Sequence, residues 1–247
     1  MKFVRCVVVV PTYNEKENIQ AFLSAVRAAV PAASILVVDD NSPDGTGVLA
    51  EQSAAELGQI KVLHRPGKQG LGSAYRNGFT VAIDEGYDVI VSMDADFSHD
   101  PAVIPVLIAA IESGADAVIG SRYVPGGATE NWPIYRRLLS RWGNRYTGLV
   151  LGLRVNDCTS GFRAYRASAL AGIEPASTTA EGYAFLTELV RRLAGKHHLV
   201  TEVPIVFRDR RFGTSKMSPR IIAESMLLVT RWGANDVVRG RRLRRQR

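Results

Sequence analysis

Asp94-Ala95-Asp96 closes the apolar run DVIVSM, and an extended backbone turns residues two apart to the same side, so both carboxylates point one way. Such a pair suits a hard divalent cation, Mg²⁺ or Mn²⁺, which takes few protein ligands and fills its shell with phosphate oxygens and water. A strand-end turn, where Asp is common, is the competing use of the same spacing. A second acidic pair, Asp39-Asp40, follows SILVV, where a carboxylate can accept hydrogen bonds from a base or a ribose, as acids do in nucleotide-binding folds. The stretch DDNSPDG is also good turn and helix-capping chemistry, with Ser42 or Asp44 opening the next helix. The two uses are expected of different residues. Pro11-Thr12-Tyr13-Asn14-Glu15 follows CVVVV, and Ser121-Arg122-Tyr123 follows DAVIG, which makes four polar clusters, each directly after an apolar run. GKQGLGSAYRNG has the glycines of a phosphate-cradling loop, but it lacks the Lys-Ser/Thr ending and follows the third run, so alone it says little.

The elements that must hold these clusters are legible as an alternation. CVVVVPTY, SILVVDD, IKVLHRP, DVIVSMDAD and DAVIGSRY are short β-branched runs, and ENIQAFLSAVRAAV, DGTGVLAEQSAAELG, LGSAYRNGFTVAIDEG and PAVIPVLIAAIESG between them carry helical patterns. Strands apolar on both faces, separated by helices, predict an α/β protein with a doubly wound, mostly parallel sheet. Ligands in such sheets sit beyond the carboxyl ends of the strands, where the four clusters fall. With no repeat or linker, residues 1–235 read as one domain, with an amphipathic helix over about 218–238 and a basic tail over 239–247. Ile222, Met226, Val229 and Trp232 lie along one face of that helix, a stripe whose ordinary use is packing against the domain.

The 247 residues are 46% hydrophobic and 22% charged, a balance that leaves out disordered and fibrous classes. No charge-free apolar run reaches the roughly 18–20 residues of a membrane span, and MKFVRCVVVVPTYNE turns polar too early for a signal peptide. A cytoplasmic location is therefore expected. Cys6 and Cys158 have no metal spacing and read as reduced packing residues. Net charge is +7, and the last nine residues, RGRRLRRQR, hold six arginines and no acid. Basicity so localised points to an anionic membrane surface as the tail's partner, with a membrane protein as a further candidate, and to peripheral attachment at the cytoplasmic face. Nucleic acid is disfavoured, because the rest of the chain is nearly neutral and the acidic strand-end edge would repel phosphate unless metal were bound.

PTYNE, VVDDNSPDGT, GLGSAY, DADFSHDP, GSRY, WPIYRRLLSRWGN, DCTSGFRAY and FRDRRFGTSK, in that order, resemble the polyprenol or dolichol phosphate mannose synthases, inverting family 2 glycosyltransferases with a GT-A fold. The resemblance runs to about residue 235, and the arginine tail without transmembrane helices is most similar to the bacterial polyprenol monophosphomannose synthases. It implies transfer of mannose from GDP-mannose to a polyprenol monophosphate with inversion, giving polyprenyl phosphate mannose and GDP, with Mg²⁺ or Mn²⁺ as cofactor. By position it assigns Pro11, Tyr13, Glu15, Val38 and Asp40 to the nucleotide, and Asp94, Ala95 and Asp96 to the diphosphate and metal, with Asp94 and Asp96 as ligands. Ser98 stands where members of the family can carry a Gln as third ligand, and its neutral hydroxyl would ligate either directly or through water. Arg122, Arg136 and Ser140 are implied at the acceptor phosphate, and Arg210 and Lys216 over the donor diphosphate.

Elementary chemistry favours such a role for cations. A phosphate monoester has its second pKa near 6, so at neutral pH it is a nucleophile without a general base. It needs positive charge, because two phosphate-bearing substrates repel each other and charge builds on the leaving diphosphate. Arg136 and Ser140 lie four apart and share a helix face, although the neighbouring Arg137, Arg141 and Arg145 would equally make a solvated basic stripe. Asp157 and Glu181 are expected to be structural or to shape the acceptor site, and His64, His99, His197 and His198 to sit at the surface or cap helices. Three other readings use the same features: a polyprenol phosphate glucosyltransferase using UDP-glucose, a sugar nucleotidyltransferase, and a nonenzymatic nucleic-acid-binding protein. The nucleotidyltransferase should carry a glycine-rich basic loop after its first strand, where this chain has PTYNE.

Overall fold

The computed structural model describes residues 4–209 and 219–238. Each of the five apolar runs is a strand: β1 (Cys6–Thr12), β2 (Ser34–Asp39), β3 (Ile60–His64), β4 (Val89–Ser92) and β5 (Ala117–Ser121). Between them lie α1 (Ile19–Ala29), α2 (Thr46–Leu57), α3 (Leu71–Asp84) and α4 (Ile104–Glu112). The remainder adds β6 (Ala128–Thr129), α5 (Ile134–Leu151), β7 (Arg163–Arg166), α6 (Ala167–Gly172) and α7 (Gly182–Gly195). It closes with β8 (Val200–Pro204), β9 (Val206–Phe207) and α8 (Pro219–Val238).

The main sheet has the order β3-β2-β1-β4-β7-β5-β8, and β6 pairs with β9 in a small second sheet. All main-sheet pairs are parallel except those of β7, which runs antiparallel to both β4 and β5. The sequence reading has no strand there, because a four-residue run with an arginine at each end gives no apolar signal. Reversal matters to the site: it brings the loop that precedes β7, residues 157–162, to the edge where the parallel strands end.

Alternation along the strands feeds two cores. Val8 and Val10 of β1 join Phe22 of α1, Ala50 of α2 and Leu107 of α4, whereas Val7 and Val9 join Phe79 of α3 and Phe185 of α7. Helix α3 lies very close to the sheet, since a Cβ on Gly78 would fall 2.5 Å from Val9 Cγ1 and 3.1 Å from Val38 Cγ2. Helix α8 packs on α5 and α7: Val229 is buried with Leu151 and Leu153, Trp232 is packed against that cluster, and Arg191 Nε donates to Asp236 Oδ2 at 2.9 Å. The tail, residues 239–247, lies outside the described residues. Among the described residues no helix is long and apolar enough to cross a membrane.

Candidate active site

The loops after β1 and β2 are stitched together by side chains. Asp39 accepts from Thr12 Oγ1 (2.8 Å), Ser42 N (3.0 Å) and Ser42 Oγ (2.6 Å), and Ser42 Oγ accepts from Asn14 N at 3.1 Å. Asp44 accepts from Thr46 N and Oγ1 at the start of α2 and from Lys16 N, and Thr46 Oγ1 accepts from Glu15 N at 2.9 Å. Asp39 and Asp44 therefore perform the turn and capping chemistry. Asp40 is left to face the other way, paired with the buried Arg65 (Nη1 to Oδ1, 2.5 Å) and Gln69 N (3.2 Å). Burial raises its pKa and the adjacent Asp39 adds to that, against the Gln69 N–H and Arg65, which pull it down.

These loops form one side of a cavity of about 310 Å³ at the carboxyl edge of the sheet. Pro11, Tyr13, Glu15 and Asp40 line it, as do Asp94, Ala95, Asp96 and Ser98. Asp94 Oδ1 accepts from the hydroxyl of Tyr75 at 3.1 Å, whose fully buried ring stacks with Phe79 and Phe185 and so fixes the hydroxyl's position. Ser98 donates through both N (3.0 Å) and Oγ (2.6 Å) to Asp96 Oδ1. In this arrangement Ser98 braces the carboxylate of Asp96. Asp94 and Asp96 supply hard oxygen donors on one wall, the donor type that Mg²⁺ and Mn²⁺ take. Among the described residues no cluster of three or more His, Cys, Asp or Glu could hold an ion alone, so a cation here would complete its shell with a substrate's phosphates and water.

The opposite wall is cationic and aromatic. Arg122 is held by Asp157, which accepts Arg122 N (3.0 Å) and Nε (2.7 Å) on Oδ2 and Nη2 (2.6 Å) on Oδ1, while Nη2 also reaches Thr159 Oγ1 at 2.7 Å. None of these bonds uses Nη1. Burial alone would raise the pKa of Asp157, but the Arg122 charge and hydrogen bonds outweigh it and hold the carboxyl below its usual range. Asp157, expected to be structural or to shape the acceptor site, holds Arg122 in place. Arg136 donates to Asp209 Oδ1 at 3.1 Å and lies 4.1 Å from the Trp132 ring centroid.

The sequence of this chain matches the pattern of glycosyl transferase family 2 over residues 7–173. The chain is a member of glycosyl transferase family 2. The polyprenol monophosphomannose synthase of Mycolicibacterium smegmatis is 46% identical over 238 residues, 96% of this chain and 88% of that one. The undecaprenyl-phosphate mannosyltransferase of Micrococcus luteus is 47% identical over 230 residues, 93% of this chain and 94% of that one. Among solved structures, the glucosyl-3-phosphoglycerate synthase of Mycobacterium tuberculosis with Mn²⁺, UDP-glucose and phosphoglyceric acid has a TM-score of 0.66 at 20% identity, covering 92% of this chain and 80% of that one. A mannosyltransferase of Pyrobaculum calidifontis with GDP-Man and Mn²⁺ has a TM-score of 0.58 at 15% identity, covering 96% and 75%. At these identities the two structures establish a shared fold and nothing finer.

The expected residues of the transferase fall in several places. Val38 is fully buried in the core against α3 and is absent from the cavity wall, because it lies inside β2 where α3 covers the sheet, whereas Asp40 lies just past the strand's end at the open edge. Ser140 is also off this wall. It accepts from Tyr123 OH at 2.6 Å and lines an adjoining apolar slot of about 110 Å³ between α5, α7 and α8. Arg122, Arg136, Thr159 and Tyr183 border both spaces. Arg210 and Lys216 lie outside the described residues. His99, expected at the surface or as a helix cap, is only 2% exposed, between Phe162 and Phe207. Burial, helped by Arg122 and opposed by Asp96 and Asp157, lowers its pKa to about 4. His64 pairs with Glu51 and His198 with Asp116, and His197 is exposed.

The glycine-rich loop does not present an open cradle. Glu181 bonds Arg76 and accepts from Ser73 N at 3.3 Å, which puts its carboxylate at the N-terminus of α3, where negative charge is favoured. Gly70 (φ +96°) makes room, since a Cβ there would lie 2.7 Å from Glu181 Oε2. The site also contains residues that sequence reasoning missed: Lys68, which sits over the Tyr13 ring at 4.2 Å, Trp132, Thr159, Tyr183 and Phe207. WPIYRR and DCTSG were visible as motifs, but nothing in their spacing shows that they meet.

Proposed function

We propose that this transferase moves a mannosyl group from GDP-mannose to a polyprenol monophosphate, with inversion at the anomeric carbon. The observation that carries the reading is the shared border of the two spaces: Arg122 and Arg136 stand between a polar, carboxylate-bearing cavity and an apolar slot whose far wall is Met226 and Val229 of α8. An acceptor that is anionic at one end and hydrocarbon beyond it matches that border. The mannosyl group and the lipid phosphate are supported by the names of the relatives at 46% and 47% identity.

In this reading Tyr13, Glu15 and Asp40 bind the nucleotide, and Asp94 and Asp96 hold Mg²⁺ or Mn²⁺ at the diphosphate. When bound, the cation offsets charge developing on the leaving diphosphate. Tyr75 and Ser98 keep the two carboxylates in place. Arg122 and Arg136, with Ser140, hold the acceptor phosphate, so that one of its oxygens attacks the anomeric carbon as the bond to the donor diphosphate breaks. No proton has to be removed from a dianionic phosphate, which accords with Asp157 being committed to Arg122.

The same reading places the enzyme at a membrane surface through α5. Ile134, Leu138 and Trp142 are 66%, 59% and 56% exposed and follow one another at four-residue spacing, while Arg137, Arg141 and Arg145 are exposed beside them. An apolar stripe flanked by cations is suited to the boundary of an anionic leaflet, and it lies on the helix that carries Arg136 and Ser140. Incubation with radiolabelled GDP-mannose, UDP-glucose or UDP-N-acetylglucosamine and a polyprenyl phosphate tests the proposal. Product from GDP-mannose alone supports it, and preferred use of a uridine donor would replace it.

A further inference from the structure

We propose that Asn144 is a positioning residue for the acceptor phosphate, setting the separation between Arg122 on one element and Arg136 with Ser140 on another. The inference rests on the reading of these three residues as the acceptor-phosphate site. Asn144 sits on α5, two turns after Arg136, and is 2% exposed. Its amide is used in three directions: Nδ2 donates to Ser140 O at 3.0 Å and to Thr159 Oγ1 at 3.2 Å, and Oδ1 accepts from Cys158 N at 2.8 Å. The pattern admits one orientation of the amide, because exchanging O and N would set like against like at Cys158 N and Ser140 O.

Thr159 completes the connection. Its hydroxyl donates to Asp157 Oδ1 at 3.3 Å and accepts from both Arg122 Nη2 (2.7 Å) and Asn144 Nδ2, which uses its full capacity of one donor and two acceptor sites. Asp157 and Thr159 together hold Arg122. Among the described residues, Asn144 provides the one side chain of α5 that hydrogen-bonds to residues 157–160. Helix α5 is also tied to the segment after β5 by Tyr123 OH, which donates to Ser140 Oγ at 2.6 Å, and its remaining contact here runs along the apolar slot, where apolar contact permits sliding that a directional hydrogen bond forbids. Asn144 and the Tyr123–Ser140 hydrogen bond together set where Arg136 and Ser140 stand relative to Arg122, and Asn144 does so from the lining of the apolar slot.

The test compares Asn144→Asp, Asn144→Ala and Thr159→Val with wild type and with Arg136→Ala. The readouts are steady-state KM for a short polyprenyl phosphate, KM for GDP-mannose, kcat and Tm. Asn144→Asp is nearly isosteric and turns a donor into an acceptor opposite Thr159 Oγ1 and Ser140 O. Thr159→Val keeps the shape and removes the shared hydroxyl, so it reads the same network if an Asn144 variant fails to fold. Each is expected to raise the acceptor KM about tenfold, the size of one lost buried hydrogen bond, with the donor KM within about twofold of wild type on the same grounds. An unchanged acceptor KM, or acceptor and donor KM rising together with a fall in Tm, would overturn the positioning role while Arg136→Ala still raises the acceptor KM. If Arg136→Ala leaves the acceptor KM unchanged as well, the assignment of the acceptor site falls and the role of Asn144 falls with it.

Discussion

The two walls of the cavity carry opposite charge and differ in how they are held. On the acidic wall the braces are mixed: Ser98 holds Asp96 from two residues away, whereas Tyr75 reaches Asp94 across 19 residues and Arg65 reaches Asp40 across 25. On the cationic wall they are distant, with Asp157 on Arg122 across 35 residues and Asp209 on Arg136 across 73. A carboxylate after a strand can be oriented by the N–H and hydroxyl groups of the turn that follows it. A long guanidinium has no such local partners and takes its direction from a folded neighbour. Asp96 should therefore tolerate distant changes, and the cationic wall should be sensitive to them.

The sharpest attack on the acidic wall is Asp96→Ala. If the carboxylate holds a cation at the diphosphate, transfer should fall by about a thousandfold or more, since such charge stabilisation supplies several kcal/mol. Turnover under saturating Mn²⁺ is the measurement, and full activity would remove Asp96 from the site. The stability of the fold should change little.

Asp157→Asn should do the reverse and act on the fold. Removing one partner of a buried pair typically costs about 3–5 kcal/mol, which thermal or urea unfolding would register. The sign with pH follows from the direction of the shift. Because the folded-state pKa of Asp157 is depressed, its stabilisation is complete above the usual carboxylate range and is lost as pH falls through the folded value. The wild type should thus lose stability in acid more steeply than Asp157→Asn, and parallel curves would show that the pair does not supply the difference.

Changes on α5 should be intermediate. Leu138→Glu with Trp142→Glu should weaken sedimentation with anionic vesicles about tenfold or more, as each apolar side chain withdrawn from water contributes about 1.5–3 kcal/mol. A soluble acceptor analogue should still be used. Equal loss with soluble and long-chain acceptors would mean that the stripe supports the site and not the surface. The smallest effect is expected from Glu181→Gln, whose carboxylate is engaged by Arg76 and Ser73 N at the start of α3. Rate should still rise through about pH 6 as the acceptor phosphate ionises and then level. If the change removed that rising limb while substrate still bound, a protein base would have to be restored to the mechanism.

The same contrast explains how far the sequence could be read. The five strands, their helices and the acidic clusters were legible because period-two apolar runs and turn residues act over a few positions. His99 lies under cover because Phe162, before β7, and Phe207 of β9, both far along the chain, close over a segment that reads from the sequence as exposed or capping. Val38 and Asp40 are both expected at the nucleotide, and of the two Asp40 reaches the cavity.

By itself, then, the sequence determined the α/β architecture and the position of Asp94, Asp96 and Asp40 at the strand ends, because local backbone geometry decides which way a residue after a strand faces. Tertiary structure alone decided the cationic wall. It inserted β7 antiparallel between β4 and β5, carried Asp157 and Thr159 to Arg122, and laid α5 and α8 against α7 to open the apolar slot. Those contacts join residues far apart in the chain, and no local period or motif spacing encodes a meeting that only the packed core enforces.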